Sequence, residues 1–378
     1  MAQRKSIPET TKLRLWTEAG GRCQRSGCNE RLWEHKLTLS DGNFAQMAHI
    51  IGASENGPRG QQKVSILAQT DFENLMLLCA ACHKEIDADS EKYPETLLRE
   101  WKRDHEERIE IQTNITRHIH RSTILIFTAK IKDRMPQVND AATHNAIFPK
   151  FPTTKRPLRI EFPNFGRENL AEWESAKTDI EKRIRTMQND GYDGKTVTHL
   201  SVFAIGPMPL LMYLGKCIGD TISANIHHAN RNSSDTNNTW TWAQESDDIH
   251  FQFKEIQRND HATKVAVLLS VSDSVTNGKV SSVVKDDWSV YEIAIENPSP
   301  HLKLAPDHID QYSKIFRNLL NQIQERNGLK CEVNIFPAIP AALAVESGRV
   351  LLPTKDPVIW VYEFISEKKE FIKVLGLQ

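Results

Sequence analysis

The chain has 378 residues, with 48 Lys and Arg against 49 Asp and Glu and a formal charge of −1. That length suggests two or three domains, and the near balance of charge excludes a polybasic protein that grips nucleic acid by bulk charge. A 39% hydrophobic share with 14 Phe and 8 Trp allows a sizeable core, no apolar run reaches the ~18 residues needed to span a bilayer, and six cysteines are too few for a disulfide scaffold. No apolar stretch follows Met1-Ala2-Gln3-Arg4-Lys5, so no signal peptide, no membrane association and a cytoplasmic location are expected.

Four of the six cysteines fall in two close pairs, Cys23 with Cys28 and Cys79 with Cys82. Two such knuckles present four thiolates to one point, a closed tetrahedral zinc site. Two disulfides or four buried thiols are the competing arrangements. Cys217 and Cys331 stand alone in apolar surroundings and read as core residues. Between the pairs, residues 44–52 form a short apolar strand that ends in His49 and Gly52, followed by the polar loop 54–60 and the segment Asp71–Cys79. A neutral histidine takes a proton from water near pH 7, which makes His49 a candidate general base. Arg59 is either a phosphate partner or a solvated loop charge. Pro94 fits the first turn of a helix whose core stripe is Leu97, Leu98, Trp101, His105 and Ile109. Residues 1–110 carry 16 basic and 18 acidic side chains. DNA contact would therefore need a local patch, with Arg4, Lys5, Lys12, Arg14, Arg22 and Arg25 as candidates and a solvated helix face as the alternative.

The string Asn74-Leu75-x-x-Leu78-Cys79-x-x-Cys82-His83, with Ala48-His49-Ile50 upstream, resembles the HNH endonucleases over roughly residues 10–110. The resemblance implies an α+β, zinc-stapled ββα-metal head. In it His49 is the general base, Asn74 orients the imidazole, and His83 ligates a catalytic Mg²⁺ (or Mn²⁺) beside the leaving 3′ oxygen. Many relatives carry an acidic metal ligand just before the base. Ala48 stands there in this chain, so the second protein ligand is unassigned, with Gln46 a weak candidate on the same strand face. A zinc ribbon that binds or scaffolds without catalysis is the contrasting reading.

Residues 114–121 are polar and basic without apolar periodicity, and the expected division is a head over 1–115, a linker over 116–121 and a body over 122–378. The body alternates strand and helix. Thr123–Phe127, His199–Ile205, Thr221–His228, Lys264–Ser270, Cys331–Phe336 and Val358–Ile365 read as strands. Glu168–Gln188, a segment from Gly206 to about Cys217, Asp307–Arg326 and Ala341–Gly348 read as helices. That rhythm implies a parallel sheet. Placing Pro209 on Pro340 lays Val202–Ile205 on Val333–Phe336, which suggests two fused Rossmann-like pseudo-repeats over about 122–258 and 259–378. No GxGxxG or GxxxxGK[ST] string supports a dinucleotide or ATP site.

Residues 201–210 and 336–344 resemble the SAVED domain, a pair of fused CARF-like units that bind cyclic oligonucleotides. A head and body of these two kinds are similar to effector nucleases of CBASS, the bacterial anti-phage system. The resemblance implies activation by a cyclic di- or trinucleotide from a CD-NTase synthase, self-association from dimer to tetramer, and degradation of double-stranded DNA. Ligands of open parallel sheets bind beyond the strands' carboxyl ends. That rule nominates Met208 and Pro209 in one crevice, Pro337, Ala338 and Ile339 in the other, and Ser270, Ser272 and Asp273 after a strand end. Trp240 and Trp242 follow the Asn/Ser-rich loop 230–239 and are candidates for base stacking, with core packing the alternative. An unregulated restriction-type HNH enzyme is a third reading, disfavoured by a body without Arg/Lys stripes.

Overall fold

A computed structural model of the chain describes residues 6–54, 57–60, 69–114, 121–230, 239–242 and 246–377. Arg4, Lys5, the linker up to residue 120 and loop residues 231–238 lie outside them. The chain separates into two units, Met1–Ile119 and His120–Gln378.

The first unit contains α1 (Glu9–Glu18), β1 (Ala45–His49), a 3₁₀ turn (Phe72–Asn74), β2 (Leu75–Cys79), α2 (Ala80–Ala88) and α3 (Glu95–Thr113). β1 and β2 pair antiparallel, with His49 opposite Leu75 and Ala45 opposite Cys79. All five β2 side chains are buried, as an apolar run without alternation requires. Cys79 then caps α2, its sulfur accepting from the Cys82 N–H. Of the stripe expected on α3, Leu98 and His105 are buried together with Lys102, a cation between them that sits 3.7 Å over the Phe72 ring.

The second unit is a mixed α/β fold. Its first sheet holds β3 (Arg121–Ala129), the two-residue β4 (Phe151–Pro152), β5 (Leu158–Phe162), β6 (His199–Ile205) and β7 (Ser223–His227), all parallel, in the order β4-β3-β6-β7 with β5 also on β3. The second holds β8 (Gln252–Gln257), β9 (Lys264–Ser270), β10 (Ser289–Ala294), β11 (Glu332–Ala338), β12 (Val358–Ile365) and β13 (Glu370–Gly376), in the order β13-β12-β11-β9-β10-β8. Antiparallel β8 and β13 flank four parallel strands. The helices are α4 (Asp140–Ala146), α5 (Leu170–Asp190), α6 (Met208–Ile218), the short α7 (Asn277–Val280), α8 (Pro306–Asn327) and α9 (Ala341–Arg349). α6 packs on α9, α5 on α6 and α8 on α9; α9 also touches β6 and β7, and α6 touches β12 and β13. One core spans both sheets and these four helices.

The run β5-β3-β6-β7 and the run β10-β9-β11-β12 follow the same order of succession along the chain. The expected residue alignment needs correction. β6 and β11 have seven residues each, with the same burial pattern, and Pro207 caps α6 as Pro340 caps α9. Pro207 therefore matches Pro340 and Val202 matches Ile335. Pro209 lies inside the first turn of α6, a place that tolerates proline as readily as the cap. β11 also continues through Pro337 to Ala338 along β9, although its pairing with β12 stops at Ile335. The missing N–H of Pro337 falls where the ladder ends.

Candidate functional site

The sulfurs of Cys23, Cys28, Cys79 and Cys82 all lie within 4.8 Å of one another. Four ligands at the zinc–sulfur distance of a tetrahedron stand about 3.8 Å apart, so the cluster fits zinc. Burial pushes the Cys23 thiol up and the Cys82 thiol up to about 12, and a cation is what holds such thiols deprotonated. Arg25 Nη1 lies 3.7 Å from Cys82 Sγ, and its guanidinium forks onto Glu85 at 2.5 and 2.8 Å. Gln24 staples the first knuckle in place: its N–H donates to the Leu77 carbonyl, its Oε1 accepts from the Leu77 N–H, and its Nε2 donates to Glu106. Arg25 and Gln24 are partners that cysteine spacing does not reveal.

His49 ends β1, and its Nε2 lies 3.0 Å from the Gln69 carbonyl. A proton on Nε2 is donated there, which leaves the lone pair on Nδ1. Asn74 is 2% exposed and does not hold the imidazole as expected. Its Oδ1 accepts from the Ile51 N–H at 2.8 Å and its Nδ2 donates to the Ile51 carbonyl at 3.0 Å, fixing the chain two residues after His49. His83 on α2 puts Nε2 3.2 Å from Asp87 Oδ2, one helical turn on. Cis ligands on an octahedral magnesium ion stand about 3 Å apart, so His83 and Asp87 fit one divalent ion. Gln46 is exposed on β1.

Arg59 is neither a free phosphate partner nor a solvated loop charge. Its side chain is 6% exposed. It donates to the carbonyls of Ile50, Ile86 and Tyr93 and to Asp87 Oδ1 at 3.0 Å, tying the end of β1 to the end of α2. The described members of the expected basic patch are also engaged. Lys12 pairs with Glu9, Arg14 with Glu18, Arg25 with Glu85, and Arg22 donates to the Asn29 carbonyl.

In the second unit, Met208 and Ala338 are partly exposed, whereas Pro209, Pro337 and Ile339 are buried. The Ala338 carbonyl accepts from Val271 and Ser272 N–H groups. Ser270 is 1% exposed, and its hydroxyl donates to Glu292 at 2.6 Å while accepting from the Val275 N–H; it is not free for a ligand. Asp273 pairs with Lys279, which draws its carboxyl below the usual range. Trp240 is 2% exposed and packs edge-on against Phe203, so it is core rather than a stacking platform. Trp242 is partly buried over His227, whose other face lies on Phe203 at 4.4 Å. Burial pushes His227 down to about 4.

Two sheets with the same succession of parallel strands around a shared helical layer define a duplicated α/β body. The family described as "SMODS-associated and fused to various effectors sensor domain", SAVED, matches residues 180–377, and the chain belongs to it. Solved structures similar to it include the Acinetobacter baumannii Cap4 SAVED/CARF-domain containing receptor with the cyclic trinucleotide 3′3′3′-cAAA, at 12% identity and a TM-score of 0.46. The complex of that receptor with 2′3′3′-cAAA is similar at 11% and 0.45, and the Moraxella osloensis Cap4 receptor at 11% and 0.40. The two complexes are matched over 83% of this chain and 65% of theirs, and the Moraxella receptor over 78% and 60%. No curated protein matches the sequence.

Proposed function

We propose that this protein is a ligand-gated DNA endonuclease of CBASS-type anti-phage defence, in which a cyclic di- or trinucleotide bound by the SAVED unit activates an HNH-type head. The observation that carries the nuclease reading is the His49 ring, tethered through Nε2 to the Gln69 carbonyl at one end of a hairpin whose other end carries Cys79 of a four-cysteine cluster. Nδ1 accepts the proton of a water that attacks phosphorus, and the bond to the 3′ oxygen breaks. His83 and Asp87 are the residues that would hold a divalent ion, which supplies positive charge to that leaving oxygen. Asp87 thus provides the second ligand that Ala48 cannot. Asn74 and Arg59 act as positioning residues, through the chain after His49 and through Asp87. Membership of SAVED supports the sensor half of the reading. A resting dimer becomes a tetramer when ligand favours the assembled state, bringing two heads to opposite strands of one duplex.

The test is plasmid degradation with Mg²⁺ across a panel of cyclic di- and trinucleotides. Wild-type protein should cut only with a cognate ligand. His49→Ala should lose cutting by about 10²-fold or more and keep its zinc and its ligand affinity. Cutting by His49→Ala at the wild-type rate would remove the assigned base, and cutting without any ligand would remove the gate. Sedimentation with and without ligand checks the change in assembly.

A further inference from the structure

Arg167 lies in the loop that leaves β5, five residues beyond its carboxyl end and just ahead of α5. Its Nη1 donates to Glu363 Oε1 at 3.1 Å, with side-chain exposures of only 13% and 10%. Glu363 stands on β12, two positions past Val361, the last β12 residue paired with β11. It is thus level with Pro337, at the carboxyl ends where open parallel sheets take their ligands. The next residue, Glu168, pairs with Lys368 in the β12–β13 turn at 3.8 Å, so the loop is clasped to the other pseudo-repeat at two points.

The guanidinium is under-used. Arg317 forks onto Asp356 and also holds the Val350 carbonyl, and Arg59 makes four bonds. Arg167, enclosed as it is, commits one of its five N–H donors to a protein acceptor among the described residues. Glu363 is in turn a poorly accommodated partner, since burial pushes its carboxyl up to about 7 despite the arginine. A planar fork with spare donors is suited to a phosphodiester, which accepts two parallel N–H bonds.

We propose that Arg167 reads a phosphate of the activating ligand and that Glu363 holds it in reserve, releasing it when the ligand's phosphodiester takes the guanidinium. This rests on the cyclic-oligonucleotide reading of the sensor. The experiment is calorimetric titration of the full chain with a panel of cyclic di- and trinucleotides, with thermal unfolding of each variant alongside. Glu363→Gln, which removes the competing charge at constant shape, should tighten binding. The neutral pair Arg167→Gln with Glu363→Gln should weaken it about tenfold or more relative to Glu363→Gln alone, at an unfolding temperature that shows a folded sensor. The exchanged pair Arg167→Glu with Glu363→Arg should restore stability without restoring affinity. Affinity restored by the exchange, or unchanged in folded Arg167→Gln/Glu363→Gln protein, reduces the pair to a structural staple and overturns the proposal. Absence of any binding by wild-type protein sinks the receptor reading and takes this proposal with it.

Discussion

At the residue scale, buried cations organise the first unit. Arg59 adopts a left-handed backbone conformation (φ 56°) and satisfies three carbonyls that would otherwise be left bare near the end of β1 and the end of α2. Arg59→Ala should destabilise this unit by roughly 2–4 kcal/mol, seen in denaturant unfolding, and lower cutting as a consequence. In the second unit two buried groups respond to pH in opposite senses. His227 is held from its ordinary 6.5 down to about 4 by burial. Its contribution is present above pH 6.5 and lost as the pH falls toward 4. Glu363 is raised by burial from 4.5 to about 7, so its contribution is present below pH 4.5 and lost as the pH rises through 7. Each is worth on the order of 3 kcal/mol at most. Over pH 7 to 4.5, acid should stabilise the sensor of His227→Gln relative to wild type, and acid should destabilise Glu363→Gln more steeply. Melting temperatures across that range check both signs.

At the element scale, the seam between the pseudo-repeats is made by α6 and α9 at a contact that admits no side chain. A Cβ on Gly215 would stand 1.8 Å from the Val345 carbonyl oxygen, and one on Gly348 would stand 1.8 Å from that of Met212. The contact is reciprocal, as a pseudo-two-fold relation between the halves requires. Gly348→Ala should cost about 1–3 kcal/mol or more of sensor stability, read by thermal unfolding, while zinc content stays unchanged. The buried strands β6, β9 and β12 were legible to the residue, because parallel strands covered on both faces are continuous apolar runs. β8 and β13 were not. β8 (Gln252–Gln257) is exposed apart from half-buried Glu255 and Gln257, and both β8 and β13 are antiparallel edge strands defined by the neighbour they pair with. β5 and β10 escape a sequence reading for a related reason: each is short and carries charged residues such as Arg159 and Glu292, which find partners in Asp140 and Lys254 on other elements.

At the scale of the whole molecule, the two units differ in what holds them. The second has a large continuous apolar core, whereas the first gathers a smaller one around four cysteines. Metal binding contributes on the order of 10 kcal/mol in small zinc-stapled folds. Chelation should therefore melt the first unit at a temperature that leaves the second folded, seen as the loss of one of two calorimetric transitions and its return on adding zinc. Cysteine spacing, the histidines around the second knuckle and the apolar rhythm of the body are local patterns, and from them the sequence by itself determined a thiolate cluster, a histidine-bearing hairpin and helix, and an α/β body of repeated units. Only the tertiary structure decided which carbonyl tethers His49, that Asn74 holds Ile51 rather than the ring, that Asp87 stands beside His83, that Trp240 is core, and that Arg167 meets Glu363 across the repeats. Each of these is a pairing between residues whose partner is chosen by packing, and hydrogen-bond and charge complementarity at a distance along the chain leaves no periodic mark on either partner.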